Sequence, residues 1–332
     1  TQGFDAGTVG IFVMAEADTP AGLISAGLEE YHDVVNSFAR KYNADGSLRG
    51  IPIQGPVGDD ATYDLFGAFL QDEMPLGDAF EVVAGLRFTW ASATAGQVED
   101  PETGDSISVD GSWSNVSGSL RALWKPLEGV RFFAGVSQGF RAPNLSDLTR
   151  LDEARTNEIE TPSPGLDPET FVSFELGGRM DIARFQGEIA LYYTRIRDGI
   201  IRYPTGDVIG ANFEVTKANA GDGYVYGVEA SGRLDLGEGF SAFGTFAWME
   251  GMQDTFDENR HEVRDWISRL APMTGTLGLR WEDAKKRVWA ESEVETAGKA
   301  GKLSLRDQGD TQRIPPGGTP GYGLVHLRAG AK

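Results

Sequence analysis

The chain has 332 residues, with 50 Asp and Glu against 30 Lys and Arg, three His and no Cys, for a net charge of -20. That acidity repels phosphate backbones and argues against nucleic acid as a partner, while the absence of Cys removes disulfides, thiol catalysis and Cys-type metal sites. No run approaches the roughly 18 apolar residues of a membrane helix, which says nothing against a barrel whose apolar residues are diluted one for one by polar ones.

The N-terminus shows neither a basic segment nor an apolar h-region, so no signal peptide is expected within the chain. Residues 16–61 read as a long connection. A faint two-residue alternation at 62–74 predicts a strand, followed by a short link at 75–79. Phe80, Val82, Ala84, Leu86, Phe88 and Trp90 then lie on one side, with Glu81, Arg87 and Thr89 opposite. After a long link at 96–111, Val116, Gly118, Leu120, Ala122 and Trp124 face away from Asn115, Ser117, Ser119 and Arg121. A short link at 125–129 leads to Val130, Phe132, Ala134 and Val136, which alternate with Arg131, Phe133 and Ser137. Beyond a long link at 140–168 comes a strand with Val172, Phe174, Leu176 and Met180 on its apolar side. The link at 181–183 is short, and the clearest stretch follows: Phe185, Gly187, Ile189, Leu191 and Tyr193 against Gln186, Glu188, Tyr192 and Thr194. A long link at 198–222 precedes Tyr224, Tyr226, Val228, Ala230, Leu234 and Leu236. A short one at 237–239 precedes Phe240, Ala242, Phe246 and Trp248. After the long link 251–270 come Met273, Leu277, Leu279 and Trp281, backed by Arg280. Fainter strands at 287–296 and 322–331 are separated from these and from each other by 283–286 and 297–319. About twelve strands are expected.

Successive side chains of a strand point to opposite faces, so each segment has one apolar and one wet face. Residues 185–195 alternate over a length well beyond the five or six residues of an ordinary strand, and a tilted strand crossing a bilayer needs about nine to eleven. In the clear segments the apolar register carries no charge. One Arg or Lys on a lipid face costs roughly 2–4 kcal/mol at the midplane, so an empty register is what lipid demands. A soluble β-sandwich also keeps charge off one face, but it has no reason to alternate short links with long ones, as an up-and-down membrane barrel does. The aromatics agree: Trp90, Trp248, Tyr193, Tyr224 and Tyr226 fall at the long-loop end, and Phe80, Trp124, Phe132, Phe185, Phe240 and Trp281 at the short-turn end, as two interfacial girdles. The fold class is therefore all-β, an antiparallel up-and-down transmembrane β-barrel. Leu86, Trp90, Trp124, Leu191, Tyr193, Val228, Trp248, Leu277 and Trp281 are expected to face lipid, and Arg87, Glu188, Glu229 and Arg280 the lumen.

SQGFRAPNLSDL at 137–148, followed by PGLDPETFVSFELGGR at 164–179, resembles the extracellular-loop signature of TonB-dependent outer-membrane receptors. GAFLQDEMPLGDAFEVVAGLRF at 67–88, ANAGDGYVYGVEASGRL at 218–234 and GTPGYGLVHLRAG at 318–330 are similar to barrel segments of the same family, in the same order. The resemblance implies a 22-stranded barrel in the outer membrane of a Gram-negative bacterium, plugged by an N-terminal domain. It also implies uptake of a scarce nutrient (ferric siderophore, haem, cobalamin or carbohydrate) driven by the inner-membrane TonB–ExbB–ExbD complex. Against that pattern, residues 1–332 are expected to form a barrel domain incomplete at both ends, without the plug and without the final strands. A passive pore or an adhesin-like barrel without energy coupling is the alternative.

His32 and His261 fall in long links and His326 in a wet register, with no HxxxH or HxH spacing for zinc. Haem-uptake members of the family often carry a histidine between the FRAP-type and PxLxPE-type elements, and residues 144–163 contain none. The ligand-binding candidates are loop residues Arg141, Asn144, Asp147, Asp152, Glu153, Asp254, Asp257 and Trp266. Arg141 is expected to pair with carboxylates of its own loop, and Pro143 and Asn144 to shape the turn. The acidic loops read either as solvated charge or as a Ca²⁺ site at Asp254, Asp257 and Glu258, because closely spaced carboxylates suit a hard cation. So negative an entrance favours a neutral or cationic ligand that carries a metal. Tyr192 and Phe133, in the lumen register, are candidates to stack on a ligand or on the plug. No phosphate loop or HExxH occurs, so no enzyme is expected.

Overall fold

Every hairpin that the alternation predicts from residue 62 onward is present in the computed structural model, which describes residues 1–331. The strands are β1 (Gln2–Thr19), β2 (Gly22–Ala39), β3 (Lys41–Tyr42), β4 (Leu48–Gly50), β5 (Asp59–Leu76), β6 (Phe80–Glu99), β7 (Ser106–Leu127) and β8 (Val130–Arg141). Helix α1 (Leu145–Thr149) and strands β9 (Asp152–Arg155) and β10 (Glu158–Glu160) fill the next connection. Then come β11 (Glu169–Ile182), β12 (Phe185–Ile209), β13 (Asn212–Gly237), β14 (Phe240–Phe256), β15 (Glu262–Trp266), β16 (Thr274–Glu282) and β17 (Val288–Ala297). Helix α2 (Leu305–Gly309) and β18 (Tyr322–Ala331) complete the described chain.

Thirteen strands pair with their neighbours in sequence order, β1-β2-β5-β6-β7-β8-β11-β12-β13-β14-β16-β17-β18, as one antiparallel meander whose two ends do not meet. The sheet is open, as expected of part of a barrel. The expected long connection at 16–61 is corrected: most of it is the β1–β2 hairpin, closed by a tight turn between Thr19 and Gly22. His32 accordingly lies on β2, opposite Asp64 of β5. Its alternation was illegible because Glu30 and His32 occupy the register that carries Ala26 and Leu28 lower down. Strands also run further than the periodicity showed at 96–111, 198–222 and 251–270. Beyond the apolar band both faces are wet, and bulges near Gly199 and between Pro204 and Val208 break the two-residue count.

Pairing keeps the apolar register on one face. One row runs Ala15–Ala26–Leu70–Leu86–Gly118, another Ala122–Ala134–Leu176–Leu191–Val228–Trp248, and a third Gly244–Leu277–Val294–Val325. Among the described residues nothing covers this face: Leu86 is 60% and Leu277 70% exposed. A second sheet would bury these residues in a sandwich. The opposite face carries ion pairs. Arg87 of β6 reaches Glu29 of β2 across β5, which is possible because the residue between them is Gly67, where a Cβ would sit 2.2 Å from the Arg87 guanidinium. Arg121 pairs with Glu175 at 3.1 Å, and Glu291 holds both Arg280 and Arg328 at 3.0 Å.

The buried core sits at the long-loop end, on the face that bears Arg87. Ala61, Ala93, Ala95, Val98 and Val109 of the wall meet Leu145, Leu148 and Leu166 of the β8–β11 connection. That connection folds back over the inner wall, which identifies the charged face as the inside.

Candidate functional site

The mouth is built on the FRAP-type segment. Asn144 caps α1 by accepting the Asp147 backbone N–H at 2.9 Å, and the Asp147 carboxylate accepts the Asn144 N–H at 3.1 Å, a reciprocal capping box. Leu148 and Thr149 are fully buried. The Thr149 hydroxyl accepts the Gly58 N–H at 2.8 Å, and its carbonyl accepts from the Gln54 amide at 2.8 Å, so the short helix is pinned to the segment ahead of β5.

Around this helix lies a chain of ion pairs. Arg141 joins Glu169 to Asp147. Lys217 of β13 bridges Asp147 at 2.8 Å and Glu160 at 3.1 Å, and Glu160 is also held by Arg202 of β12 at 2.6 Å. Burial by itself would raise the carboxyls of Asp147 and Glu160. Lys217 with Arg141 in the first case, and Arg202 with Lys217 in the second, outweigh it and hold both below the usual carboxylate values. Burial likewise opposes the charge on Arg141, yet Glu169 and Asp147 raise it above the ordinary guanidinium value.

A second group ties this loop to the β17–β18 connection. Arg306 of α2 pairs with Glu158, Arg155 approaches Asp307 at 3.5 Å, and Arg313 donates to the Ala154 carbonyl at 3.2 Å. Burial pushes the Arg306 guanidinium down to about 10, with Glu158 opposing and Arg155 and Arg202 adding to the effect. Arg269, in the chain after β15, pairs with Asp310 at 3.0 Å, and the Asp265 carboxylate accepts the Leu305 N–H at 2.6 Å. Helix α2 is therefore the joint between two loops that the sequence shows only as separate acidic segments. The joint is incompletely satisfied: Arg155, 6% exposed, has Nε and Nη1 without a hydrogen-bond partner among the described residues.

Two crevices open beside the joint. One, of about 750 Å³, is lined by Arg40, Lys41, Gln54, Glu99, Asp152 and Glu153. The other, of about 650 Å³, lies between β14–β15 and the β17–β18 connection, with Trp266, Met273, Leu303 and Ile314 in its wall. Lys302 stands over the Trp266 ring at 4.7 Å and pairs with Glu250.

The structure thus brings Arg141, Asn144 and Asp147 together, sets Asp152 and Glu153 on one crevice, and places Trp266 on the other. Trp266 ends a strand, β15, rather than lying in a loop. Asp254 and Asp257 stand apart from the first group: Asp254 pairs with Arg264 at 2.7 Å, and Asp257 accepts the backbone N–H groups of Asn259 and His261 at 2.9 and 2.8 Å. The His261 and Asn259 N–H groups hold the Asp257 carboxyl below its usual value. Glu258 is exposed, and among the described residues no three His, Asp or Glu side chains converge on a metal position. Asp147, Asp152, Glu158, Glu160, Glu169 and Asp254 pair with Arg or Lys, which weakens the charge argument for a neutral or cationic ligand. Tyr192 and Phe133 lie against Gly227 and Gly177 of neighbouring strands, where a Cβ would come within 2.5 Å of each ring side chain. Sequence reasoning read Glu160 only as one of the acidic-loop carboxylates and missed Arg202, Lys217, Arg155, Arg306 and Asp307. Only α2 left a signal, the S-x-x-D capping pattern of Ser304 and Asp307.

Solved structures share the fold. The chain is similar to the copper transporter OprC (TM-score 0.77, 17% identity, 98% of this chain and 49% of that one). It is also similar to the hemophore receptor HasR of Serratia marcescens (0.74, 16%, 99% and 54%) and to the FrpB iron transporter of Neisseria meningitidis, F5-1 variant (0.71, 17%, 100% and 49%). The chain spans about half the length of these proteins. No curated protein matches it. Residues 7–332 match the family model described as TonB dependent receptor-like, beta-barrel, and with an open antiparallel meander of the kind such a barrel requires, the chain belongs to that family.

Proposed function

We infer that this chain is the wall and part of the mouth of an outer-membrane receptor that imports a scarce, metal-bearing nutrient into a Gram-negative cell. The observation that carries this reading is the folded mouth. A passive pore needs an open entrance, whereas here the β8–β11 and β17–β18 connections are built over the inner face and joined through Arg155, Asp307, Arg306 and Glu158. Similar structures include a copper transporter, an iron transporter and a hemophore receptor in complex with its hemophore and haem. A metal chelate as ligand rests on that likeness and on the two crevices beside the joint.

In this reading the loops capture the ligand at the crevices, and their separation exposes the lumen. An unpartnered buried donor costs about 1–3 kcal/mol, so the Arg155 joint is where the mouth yields first. Inside, a plug domain lies against the charged face and TonB–ExbB–ExbD supplies the energy; outside, Leu86, Trp90, Trp124, Leu191, Tyr193, Val228, Trp248, Leu277 and Trp281 meet lipid.

The test is uptake by cells that express the full-length protein. Accumulation of a ferric, cupric or haem ligand that stops when a protonophore collapses the inner-membrane gradient is the expected result. A constantly open conductance in planar bilayers, with uptake indifferent to the protonophore, would establish the passive pore instead.

A further inference from the structure

On the outer face, strands β12, β13 and β14 carry a continuous aromatic ladder. Tyr193 stacks on Tyr224 at 5.9 Å, Tyr224 meets Tyr226 at 6.0 Å, and Tyr226 meets the Trp248 ring edge-on at 5.5 Å. Cations stand beside and above it. Arg264 lies over the Tyr224 ring at 5.2 Å. Arg195 is the cross-strand partner of Tyr224, in the same register as Tyr193, and Arg197 is two residues further on. Both arginines are exposed. Arg202 holds Glu160 and Arg264 holds Asp254, but Arg195 and Arg197 have no ion-pair partner among the described residues. Of the nearby acids, Asp254 is held by Arg264 and Asp222 accepts the Asp198 backbone N–H at 3.2 Å, while Asp198 is exposed and pairs with neither arginine.

We propose that this ladder and the arginines above it form a docking site for a phosphate-bearing lipid head group of the outer leaflet, with Arg195 and Arg197 as the phosphate ligands. The proposal rests on the membrane reading above. Interfacial Tyr and Trp mark the edge of the hydrocarbon. Two residues along a strand cover roughly 7 Å, or about 5 Å of height at a 45° tilt, and the head-group zone is about 5–7 Å deep on each side of the core, so Arg195 stands at phosphate level. Arg197 stands higher, and its long side chain can bend back towards the same level. In a chain of net charge -20, two unpaired guanidiniums on the lipid side need an anion, and guanidinium matches phosphate in a bidentate geometry. The aromatic faces below give the sugar or glycerol portion of the head group an apolar seat.

The experiment uses the full-length protein reconstituted in phosphatidylcholine nanodiscs doped with bis-phosphorylated lipid A, and native mass spectrometry of the lipids kept after extraction. Wild type is expected to retain lipid A over phosphatidylcholine, and the Arg195→Gln/Arg197→Gln variant to retain it at least tenfold less, at about the strength of one membrane cation contact per arginine. Arg184→Gln, at the short-turn end, is the control and should retain lipid A as wild type does. Heat-modifiable gel mobility reports that each variant is folded. Equal retention by the double variant and wild type, both inserted, overturns this site and leaves the membrane reading standing. Displacement of the bound lipid by millimolar inorganic phosphate overturns it too, since that would mark a plain anion site. Failure of wild type to insert overturns the membrane reading and this proposal together.

Discussion

Glu160 shows what a single residue does in this mouth. Its side chain is 1% exposed and answers two cations, Arg202 and Lys217, from adjacent strands. Glu160→Gln keeps the shape but leaves the partly exposed Arg202 guanidinium without its carboxylate and Lys217 with Asp147 alone, for which a loss of about 1–3 kcal/mol is expected. The loss is local: hydrogen exchange should quicken at 158–166 while the strands below keep their protection. The same pairs set a pH dependence. Asp147 and Glu160 titrate in the folded chain below their ordinary values of 3.8 and 4.5. Their contribution is therefore fully present above those values and disappears as pH falls through the lowered ones. Exchange at 145–149, corrected for the intrinsic rate, should rise below pH 3.8 and stay flat between pH 5 and 8. A rise on the alkaline side would contradict the assignment.

At the scale of the element, the two faces of each strand predict different tolerance. Leu191→Arg places a charge in the uncovered apolar row between Leu176 and Val228, at a cost of roughly 2–4 kcal/mol near the midplane. It should prevent assembly of the full-length protein in the membrane. Glu188→Arg, on the inner face of the same strand, should assemble. Similar yields of heat-modifiable protein from both would refute the registers. The turns at the other end interlock. Gly129 has φ +77° and donates no side chain because none fits: a Cβ there would lie 2.2 Å from the Asp181 carbonyl oxygen of the next hairpin, whose N–H the Gly129 carbonyl accepts at 2.7 Å. Gly239 repeats the device against Glu282, at 2.1 Å. Gly129→Ala is therefore expected to lower stability by more than the ~1 kcal/mol of an ordinary glycine replacement, visible as an earlier urea midpoint.

At the scale of the whole molecule, two loops six strands apart in the meander act as one body through α2. Asp307 is the shared partner of Arg155 and Arg269, and its backbone N–H donates to the N-cap hydroxyl of Ser304. Asp307→Asn should loosen β9–β10 and 305–310 together, by about 3 kcal/mol. Loss of protection confined to 305–310 would show that the loops are independent. In the full-length protein the coupled loosening should appear as a faster ligand off-rate.

The wall was legible in the sequence because an uncovered apolar face on one side and ion-paired polar groups on the other impose a two-residue period on every strand, residue by residue. Leu86 against Arg87 and Leu191 against Tyr192 need no partner to be assigned to faces. The FRAP-type segment was legible as a loop anchor for a local reason as well, since Asn144 and Asp147 satisfy each other within one turn. Above the apolar band that constraint lapses, so β1, β2 and the upper halves of β12 and β13 were hidden among Glu30, His32, Gly199 and Pro204. The joint was beyond sequence reading altogether. Glu160 meets Lys217, and Arg155 meets Asp307, across 57 and 152 positions of chain, and no local propensity encodes which of 30 cations meets which of 50 acids. Only the curvature of the assembled sheet brings those loops over one another, and only there does a carboxylate that reads as solvated charge become a buried ion pair.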